Sequence, residues 1–593
     1  MIDLSRISSV GEALDDATIM YKSATALIEI DRNREKERIS YRDLRADAQR
    51  VTALLCASAP VGFPAAREQE EAPFRVAILM SNQAKWLVTA TGAFWAGATI
   101  VPLDYKLTAP EQVALLRHCR PAVLVTEYST WRKLDLSDFN NLRVLVTEAP
   151  EGESLSGPAG IAVERWEQTA QRAFASVARR RSDIASIVYS SGTGGTPKGC
   201  QLTHGNYLAQ AEVLASMYPM EEGERYFSIL PTNHAIDFMC GFIVPFIMGA
   251  NVVHQRTLRP QYIVDTMKRY EITHMALVPL ILKALKERIQ EKLDELPSWQ
   301  RSMVDGLTRV NELATKREPR HELSRRLLKP IHDGFGGHLK LMFCGGAFVD
   351  RDAAEFFYRL GLPVVIGYGL TEAGTVLTVN DLKPFRGDTV GKPVRGTEVQ
   401  LRNSNPEGVG EVWVRGPTVM AGYLHEPELT ADAIQDGWLK TGDLGTLDAS
   451  GHLKLCGRSK NMIVTEGGKN VYPEDIEAAF DGVKNVEEIC AYASSYIWPT
   501  GKMTGESLVL VVRPKDGGRV DDASSTVGLG LTDAVIAELR ARNRRLTDYK
   551  RVAGIIAWSR EFPRTASMKV KRDPLKAELA AHEKVAIWKE LPQ

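Results

Sequence analysis

The stretch YSSGTGGTPKG, from Tyr189 to Gly199, consists mostly of Gly, Ser and Thr and contains one lysine, Lys198. Before it, Ile184–Val188 is a short apolar run typical of a buried strand. After it, LTHGNYLAQAEVLASM has helical spacing, with Thr203 as its expected N-cap. A strand, a glycine-rich loop and a helix can present backbone N–H groups, hydroxyls and a lysine to phosphate oxygens. The stretch therefore predicts a phosphate-binding loop in an α/β domain.

The loop fits neither of two common nucleotide-binding patterns. A Walker loop has glycine immediately before its lysine, and here Pro197 precedes Lys198. The dinucleotide pattern G-x-G-x-x-G, counted from Gly192, fails at its last position, which is again Pro197. Taken alone, a loop of this composition is equally compatible with an ordinary surface turn.

The composition indicates a globular protein of more than one domain. At 593 residues the chain exceeds the usual size of a single core, and 44% hydrophobic and 25% charged residues are ordinary for a soluble protein. The 74 Lys and Arg residues balance the 74 Asp and Glu residues. This balance disfavours nucleic acid as a partner, because nucleic-acid binders usually have a basic excess.

Three features favour a reducing, cytoplasmic location. The seven cysteines are scattered, without a CxxC pair or metal-ligand spacing. The N-terminus lacks a basic region followed by an apolar core, so no signal peptide is expected. The most apolar run, FMCGFIVPFIMGANVV from Phe238, is too short for a membrane span and contains Gly and Pro. We expect no transmembrane segment, and contact with a membrane surface stays open.

The apolar pattern predicts layered α/β subdomains followed by a β-rich part. Runs typical of buried strands occur at 75–82, 122–127 and 143–148, and again at KLMFCGG and LPVVIGYG. The segment 281–335 is charged and amphipathic, which predicts an inserted group of helices. From about 390, short strand-like pieces are broken by Gly and Pro, which favours a small barrel or distorted sheet.

The end of the chain returns to strand–helix alternation, interrupted by a polar tract at 515–528 that predicts a loop. We therefore predict an α/β fold with a large N-terminal domain, residues 1–459. Its part from about 380 to 459 is the β-barrel-like subdomain. A small, mobile α+β domain, residues 460–593, is expected to follow.

Four further motifs follow the loop in order: GYGLTEAG at 367–374, TGDLG at 441–445, GRSKN at 457–461 and PRTASMKVKR at 563–572. Together with the loop they resemble the adenylate-forming superfamily, which includes acyl- and aryl-CoA synthetases, firefly luciferase and the adenylation domains of peptide synthetases. The resemblance extends from ISYRDLRADAQRVTALL at 39–55 to the last lysine-bearing motif. Several ordered motifs make a far more specific signal than any one of them.

The resemblance implies a two-step reaction of a carboxylic acid. The carboxylate first attacks the α-phosphate of ATP and expels pyrophosphate, which produces an acyl-adenylate with AMP as a good leaving group. A thiol then attacks the acyl carbon. Because the first step concentrates negative charge at the α-phosphate, cations and fixed dipoles must be directed there.

In the family, the glycine-rich loop holds the β- and γ-phosphates of ATP. By resemblance, these contacts are expected from Ser190, Ser191, Gly192, Thr193, Gly194 and Lys198. The family usually has Thr where this chain has Gly194, so one hydroxyl contact is missing and the handling of pyrophosphate is open.

The motif GYGLTE is expected to hold the nucleotide and its metal ion. By resemblance, Tyr368 stacks on adenine, Thr371 contacts the α-phosphate and Glu372 helps to ligate magnesium. A hard divalent cation bound by few carboxylates and by phosphates is usual magnesium chemistry.

Two segments resemble those that border the acyl pocket. Gly345, Gly346 and Ala347 in CGGAF resemble the lining of the adenine and acyl pockets, where glycine lets a ligand approach the backbone. His234 in LPTNHAIDF is the candidate at the acyl pocket, although a core histidine is the competing reading. The apolar run that follows it either lines an acyl tunnel or is simply core.

Two motifs near residue 450 imply a ribose contact and a hinge. By resemblance, Asp443 accepts hydrogen bonds from both ribose hydroxyls and Arg458 assists there. Lys460 resembles the hinge between the large and the small domain. The family often has Asp at the next position, where this chain has Asn461, so the behaviour of the hinge is open.

The small domain is expected to supply the lysine of the first step. Lys569 in PRTASMK resembles the residue that reaches the α-phosphate and carboxylate oxygens, and its spacing from PRT favours it over Lys571. The usual residue before this lysine is Gly, whereas here it is Met568. For the second step, Gly468 resembles the glycine that lines the pantetheine tunnel of thioester-forming members.

The phrase RRLLKPIHDGFGGHLKLMFCGGA most resembles bacterial long-chain acyl-CoA synthetases. We therefore expect ATP, Mg²⁺ and coenzyme A as cofactors and co-substrates, and a medium- to long-chain fatty acid as substrate. The first alternative is a fatty acyl-AMP ligase that loads the phosphopantetheine of an acyl carrier protein. The second is a non-catalytic nucleotide- and acyl-binding sensor, which the departures at Gly194, Asn461 and Met568 favour and the retained motif residues disfavour.

Overall fold

The structure is a computed structural model of the protein and describes residues 2–59, 74–168, 176–190, 197–464, 470–498, 507–515, 531–565 and 569–591. The chain forms two compact units. The first comprises Met1–Ser191, Pro197–Glu398 and Val414–Leu439, and the second comprises Val399–Trp413 and Lys440–Gln593. The chain therefore passes from one unit to the other more than once.

Helices of the first unit alternate with its strands and surround its sheets. They are α1 (Val10–Met20), α2 (Tyr41–Ala57), α3 (Ala84–Trp95), α4 (Ala109–Cys119), α5 (Tyr128–Trp131), α6 (His204–Met217), α7 (Ala235–Phe238), α8 (Val244–Met248), α9 (Pro260–Arg269), α10 (Pro279–Asp294), α11 (Ser298–Thr315), α12 (His321–Leu327), α13 (Lys329–Gly334), α14 (Arg351–Arg359) and α15 (Pro427–Ala433). The second unit contains α16 (Pro473–Phe480), α17 (Ser494–Ile497), α18 (Asp533–Asn543), α19 (Arg572–Ala580) and α20 (Lys584–Ile587).

The strands are short and, in chain order, begin with β1 (Thr25–Asp31), β2 (Arg34–Ser40), β3 (Arg75–Leu79), β4 (Thr99–Pro102), β5 (Val123–Glu127), β6 (Arg143–Thr147), β7 (Ala162–Arg165), β8 (Ile184–Ser190), β9 (Lys198–Thr203), β10 (Arg225–Ser228), β11 (Asn251–Gln255), β12 (His274–Leu277), β13 (Leu341–Gly345), β14 (Val364–Tyr368), β15 (Thr378–Val379) and β16 (Lys392–Pro393). They continue with β17 (Glu398–Arg402), β18 (Gly410–Arg415), β19 (Gly422–Tyr423), β20 (Ile434–Gln435), β21 (Trp438–Leu447), β22 (Leu453–Arg458), β23 (Ile463–Val464), β24 (Asn470–Val471), β25 (Val486–Ala493), β26 (Leu508–Pro514), β27 (Val552–Ala557) and β28 (Trp588–Glu590).

A nine-stranded sheet of the first unit has the order β16-β15-β14-β13-β12-β10-β11-β1-β2. The six strands from β14 to β1 in this order run parallel. Their apolar side chains form a core, as shown by Phe227, Met275 and Met342, which are fully buried. Because parallel strands end at the same edge of a sheet, the segments that follow β12, β13 and β14 emerge side by side.

The second sheet of this unit has eight strands in the order β19-β9-β8-β4-β3-β5-β6-β7. The runs at 75–82, 122–127 and 143–148 form β3, β5 and β6, which pair in parallel. Nearly every residue of these three strands is buried, as their continuous apolar pattern predicts. The prediction of buried parallel strands is confirmed.

Two helical predictions are also confirmed. Thr203 caps α6, since its hydroxyl accepts from the Asn206 N–H at 3.1 Å and the Asn206 side chain accepts from the Thr203 N–H at 2.8 Å. The segment 281–335 forms most of α10 and all of α11, α12 and α13.

The apolar run from Phe238 is helical and buried. A π-helical turn, Met239–Ile243, joins α7 to α8. Phe242 packs between Phe238 and Phe246, with ring centroids 5.7 and 5.3 Å apart, and Trp86 meets Phe238 edge-on at 5.9 Å. Of the two interpretations left by the sequence, this packing supports core for the three phenylalanines.

In the second unit, β25-β26-β27-β28 form a mixed sheet with helices on both faces. Ala491 faces the cluster that contains α16 and α18, while its neighbours Cys490 and Tyr492 face the cluster that contains α19. This alternation is the two-residue period of a strand covered on both sides. Except for Lys515, the loop predicted at 515–528 lies outside the described residues.

The observed architecture confirms the α/β fold class. The seven cysteines are free thiols. Among the described helices, none combines the length and the apolar character that crossing a bilayer requires.

Candidate functional site

The two described ends of the glycine-rich loop lie side by side. Strands β8 and β9 pair antiparallel with Ser190 opposite Lys198, and both side chains are half-buried. The sequence predicts a helix after the loop, whereas the structure has strand β9 between them, because Lys198–Thr203 pairs with β8. The lysine is therefore placed by a strand. Ser191, Gly192, Thr193 and Gly194 lie outside the described residues.

Glu372 joins this loop to the GYGLTE motif. Its Oε1 accepts hydrogen bonds from the Ser190 hydroxyl at 3.3 Å and from the Tyr423 hydroxyl at 3.2 Å. The Nζ of Lys198 lies 5.2 Å from the centre of the Tyr423 ring, within the range of a cation–π contact. The structure thus brings Ser190, Lys198 and Glu372 together, as the motif order predicts, and adds Tyr423, which sequence reasoning missed.

Glu372 also has the chemistry of a magnesium ligand. Among the described residues, its second oxygen, Oε2, has no hydrogen-bond partner. No group of three or more His, Cys, Asp or Glu in the described part of the chain could hold a metal ion alone. One free carboxylate oxygen fits a Mg²⁺ ion that takes its other ligands from phosphates and water.

Tyr368 and Thr371 stand at the end of β14. Tyr368 is the last residue of the strand and is 7% exposed, while Thr371 begins the 3₁₀ turn Thr371–Ala373. The turn places the Thr371 and Glu372 side chains, both half-buried, at the edge where the parallel strands end.

The GGA segment follows β13 and adjoins α7. A Cβ on Gly345 would lie 2.7 Å from the Gly367 carbonyl oxygen, so the close approach of β14 explains this glycine. Gly346 has a φ of 82°, and a Cβ there would lie 3.3 Å from the Ile236 side chain. Ala347 is exposed. We expected glycine here to let a ligand approach the backbone. The structure shows that Gly345 lets the neighbouring strand β14 approach.

Helix α7 is held against the same edge. The Thr375 hydroxyl donates to the Ala235 carbonyl at 3.0 Å, which links α7 to the segment after GYGLTE. His234 precedes α7 as its N-cap residue and is half-buried. The structure therefore brings His234 to the neighbourhood of Gly346 and Thr375.

A buried polar cluster anchors α7 from the opposite side. The Asp237 carboxyl accepts from the Ser228 hydroxyl at 2.8 Å and from the Thr232 hydroxyl at 3.0 Å, and Thr232 also contacts Nε2 of His254 at 3.1 Å. Burial raises the pKa of Asp237 to about 7, and the two hydroxyls only partly oppose that shift. A Cβ on Gly241 would lie 2.3 Å from Asp237 Oδ1, so glycine makes room for this carboxyl.

The start of the glycine-rich loop has an anchor that no motif indicated. The Tyr189 hydroxyl lies 2.7 Å from Nδ1 of His118 on α4. Burial lowers the pKa of His118 and raises the pKa of Tyr189, so both groups are neutral near pH 7. The pair holds the end of β8 against α4.

In the second unit, the predicted ribose contacts form one ion pair. Asp443 is 8% exposed, and Oδ1 of its carboxyl lies 2.7 Å from Nε of Arg458, the residue opposite it across β21 and β22. The Asp443 N–H donates to the Thr441 hydroxyl at 3.1 Å, which in turn donates to the Val412 carbonyl. These contacts orient the carboxylate within the second unit.

Lys460 lies in the 3₁₀ turn Ser459–Asn461 directly after β22 and is exposed. The neighbouring Asn461 donates from Nδ2 to Glu474 on α16 at 3.1 Å. An aspartate at this position would set two carboxylates side by side, so this departure from the family pattern suits its partner in this chain. Gly468 lies outside the described residues.

Lys569 lies at a described end of a loop of the second unit and is exposed. Its N–H donates to the Thr565 hydroxyl at 3.1 Å, and the Thr565 N–H donates to the Lys569 carbonyl at 2.8 Å. Arg564 and Val570 continue the loop as a β-bridge. Met568 is outside the described residues.

Glu488 anchors the base of this loop and was missed by sequence reasoning. It is 7% exposed, accepts from the Phe562 N–H at 3.1 Å and from Nε of Arg564 at 3.0 Å, and is ion-paired with Arg513. In the sequence, Glu488 is an ordinary charged residue at the start of a strand. The two arginines that neutralise it lie 25 and 76 positions away.

Comparison with known proteins agrees with these motifs. A sequence profile of the family described as "AMP-binding enzyme" matches residues 14–424. The chain is 29% identical over 427 residues to the long-chain-fatty-acid–CoA ligase FadD15 of Mycobacterium bovis, and this alignment covers 68% of each chain. It is 28% identical over 506 residues to a feruloyl-CoA synthase of an Amycolatopsis species, and this alignment covers 84% of this chain and 87% of the relative.

Solved structures share the fold. The anthranilate CoA ligase AuaEII in complex with anthranoyl-AMP superposes with a TM-score of 0.73 at 20% identity, and the match covers 98% of this chain and 99% of that chain. The family match spans the glycine-rich loop and the GYGLTE motif, whose side chains meet in the structure. The chain therefore belongs to the AMP-binding, adenylate-forming enzymes and is an AMP-forming acid–thiol ligase of the acyl-CoA synthetase type.

Proposed function

We propose that this enzyme activates a medium- to long-chain fatty acid with magnesium-ATP and transfers the acyl group to the thiol of coenzyme A. The observation that carries the proposal is the convergence of Ser190, Lys198 and Glu372. Ser190 and Glu372 are 182 positions apart in the chain and form a hydrogen bond. A hydroxyl, an ammonium and a carboxylate at one strand edge suit a magnesium-bound polyphosphate.

In the first step, a carboxylate oxygen of the acid attacks the α-phosphorus, and the bond from that phosphorus to the bridging oxygen breaks and releases pyrophosphate. Lys198 and Ser190, with Ser191, Gly192, Thr193 and Gly194, are proposed to hold the leaving phosphates. Thr371 is proposed to contact the α-phosphate, and Tyr368 to stack on adenine. A bound magnesium ion would neutralise phosphate charge, and Glu372 would hold it.

Residues of the second unit are proposed to complete the two steps. Asp443 and Arg458 would bind the ribose, and Lys569 would stabilise the charge that develops during adenylation. Lys460 is proposed as the hinge between residues 1–459 and 460–593. In the second step, the coenzyme A thiol loses its proton to solvent, attacks the acyl carbon and releases AMP, with Gly468 lining the pantetheine path.

Apolar side chains at the same strand edge support an acid with a long apolar part. Phe348 follows the GGA segment and is 66% exposed, Leu280 follows β12 and is 43% exposed, and Leu258 follows β11 and is 42% exposed. Strands β11, β12 and β13 belong to one sheet, and exposed apolar side chains at the edge of a polar site are typical of ligand-binding grooves. The acyl chain is proposed to run along these residues, with His234 near its carboxyl end.

The test is pyrophosphate release with magnesium-ATP and a panel of acids, each with and without coenzyme A. The panel contains fatty acids of increasing chain length and ferulate, because one relative is named for each class. We expect turnover that depends on a medium- or long-chain acid and accelerates with coenzyme A. The matched control is Glu372→Gln, which keeps the size of the side chain and removes its charge.

Each other result supports a named alternative. Release that stops near one equivalent and ignores coenzyme A, but resumes with an acyl carrier protein, would identify an acyl-AMP ligase. Turnover with ferulate alone would replace the fatty acid by an aromatic acid. ATP binding without release for every acid would support the sensor.

A further inference from the structure

The helical segment α10–α13 carries an exposed apolar stripe that the proposed reaction does not use. On α11, Trp299 is 65% exposed, Met303 53%, Val310 52% and Leu313 76%. At about 100° of rotation per residue, these four side chains fall within an arc of roughly 80° on one side of the helix. Gly306 lies within the same arc, and nothing stands within 4 Å of where its Cβ would be. The α11 stripe, defined as these four side chains, runs almost the full length of the helix.

The α11 stripe is not the side by which the helix packs on its unit. That side contains Asn311, which is fully buried and donates to the Arg359 carbonyl at 2.9 Å, and Thr315, which is 1% exposed. Asn311 lies roughly 80° and Thr315 roughly 120° around the helix from Met303, the nearest side chain of the stripe. The acidic residues Asp305 and Glu312 lie roughly 80° and 100° around the helix from Leu313, the nearest side chain of the stripe, and Glu312 is ion-paired with Arg359 at 3.2 Å. No acidic residue of α11 therefore lies within the arc of the stripe.

The segment around the stripe is basic although the whole chain is neutral. Residues 298–329 contain eight Lys and Arg against four Asp and Glu, a net charge of +4. Arg309, Lys316 and Arg317 are exposed, and among the described residues none of them has an ion-pair partner. These cations are therefore available to an external partner.

Charge decides which partner fits. A tryptophan-containing apolar stripe beside Lys and Arg is the pattern of a helix that lies in the interface of a membrane. Anionic headgroups attract such cations. A second copy of the chain would instead bring another segment of charge +4 against the first, and the two would repel each other. The observations therefore favour an anionic lipid surface over self-association.

We propose that α11 docks the enzyme on anionic lipid bilayers by inserting the α11 stripe into the headgroup region, with Arg309, Lys316 and Arg317 contacting lipid phosphates. The expected benefit rests on the proposed function, since a long-chain fatty acid partitions into bilayers and a docked enzyme would meet it there. Binding itself needs neither ATP nor acid.

The test is sedimentation of the full-length protein with vesicles of phosphatidylcholine alone or mixed with phosphatidylglycerol, at low and at high salt. We expect clear binding to the anionic vesicles that weakens as salt rises. The variant Trp299→Ser/Leu313→Ser is expected to lower the partition coefficient at least about tenfold. The matched control, Ile19→Ser/Met217→Ser, removes apolar side chains that are 46% and 42% exposed elsewhere on the unit and should bind as the wild type does.

A second variant tests the charge independently. Arg309→Glu/Lys316→Glu is expected to lower binding to anionic vesicles about tenfold and to flatten its salt dependence. Both pairs of substitutions are at exposed positions, and circular dichroism checks that the helices remain. Pyrophosphate release with the best acid added from solution should equal that of the wild type in both variants, so loss of docking and failure of the proposed function are distinguishable.

Three results would overturn the proposal. The first is a wild-type protein that does not sediment with anionic vesicles. The second is an equal loss of binding in the stripe variant and its control. The third is a wild-type dimer in sedimentation velocity that the stripe substitutions convert to a monomer, which would assign the stripe to a second copy of the chain.

Discussion

The glycine-rich loop site of the first unit and the lysine loop of the second unit hold their polar side chains in different ways. In the first unit, Glu372 accepts hydrogen bonds from Ser190 on β8 and Tyr423 on β19, two strands that both pair with β9. In the second unit, Lys569 is exposed on a loop that Thr565 closes from within. The first arrangement is supported by a sheet, and the second depends on Glu488, which anchors the base of the loop.

This difference has a functional meaning. Charge that must stabilise a transition state is most effective when the fold orients it before the substrate arrives. For the proposed reaction, the first unit would meet this condition with strand ends, and the second with the Glu488 cluster. The predictions below test the two kinds of support, from the largest expected effect to the smallest.

The largest effect is expected from Lys569→Ala. Loss of the ammonium should slow acyl-adenylate formation by about 10²–10³-fold, because it removes a charge directed at the α-phosphate. Transfer from a synthetic acyl-adenylate to coenzyme A should stay near the wild-type rate. Single-turnover pyrophosphate release and thioester formation measure the two steps separately. Lys571→Ala is the control and should leave both steps intact, and equal losses in both variants would contradict the assignment.

The anchor of the lysine loop is tested by Glu488→Ala. The substitution leaves Arg513, 12% exposed, and Arg564, 23% exposed, without their shared carboxylate. We expect the free energy of unfolding of the second unit to fall by about 3 kcal/mol, measured by urea denaturation of the full chain. The control Glu487→Ala removes a 45% exposed partner of Arg513 and should cost less than about 1 kcal/mol. A loss no larger than that of the control would show that the cluster does not support the loop.

A pH-dependent effect on stability is expected from Asp237→Asn, in the buried polar cluster that anchors α7. The raised pKa of Asp237, about 7, means that the folded protein binds a proton that the unfolded chain releases near pH 4. Its contribution to stability is complete below pH 4 and is lost as the pH rises through 7. Between pH 5 and pH 8 the free energy of unfolding of the wild type should therefore fall by roughly 2–3 kcal/mol relative to that of Asp237→Asn.

Thermal and urea unfolding of both proteins at the two pH values measure this difference. The control is Asp265→Asn, which changes an exposed carboxyl that accepts from Asn33. A difference between wild type and Asp237→Asn that is independent of pH would contradict the raised pKa.

The smallest effect is expected from Tyr423→Phe. It removes one of the two hydroxyls that orient Glu372, so we expect about a fivefold rise in the KM for magnesium-ATP with kcat little changed. Steady-state pyrophosphate release at varied magnesium-ATP provides both constants. Tyr128→Phe removes a hydroxyl that donates to the exposed Glu153 and serves as the control. A fall in kcat alone would mean that Tyr423 acts in the chemical step.

Local patterns were sufficient for much of the fold. Strands β3, β5 and β6 are continuous apolar runs, and such runs read as buried whatever their neighbours are. The cap of α6 was predictable because Thr203 and Asn206 are only three positions apart. Strand β9 was missed because its residues, KGCQLT, have no clear alternation and are strand only through pairing with β8.

Part of the candidate site was predictable for a different reason. Ser190, Lys198 and Glu372 belong to motifs, so their types and order were sufficient to select them as candidates. Tyr423, His118 and Glu488 belong to no motif, and each acts through a partner that is distant in the chain. Nothing near them in the sequence marks them.

The amino-acid sequence by itself determined the α/β class, the family and the order of the motifs, because burial period and residue type are local properties. Only the tertiary structure decided that Ser190 meets Glu372, that Asp237 is buried with hydroxyls and that the α11 stripe faces outward. These facts depend on strand order and helix packing, which bring together residues that no local pattern relates.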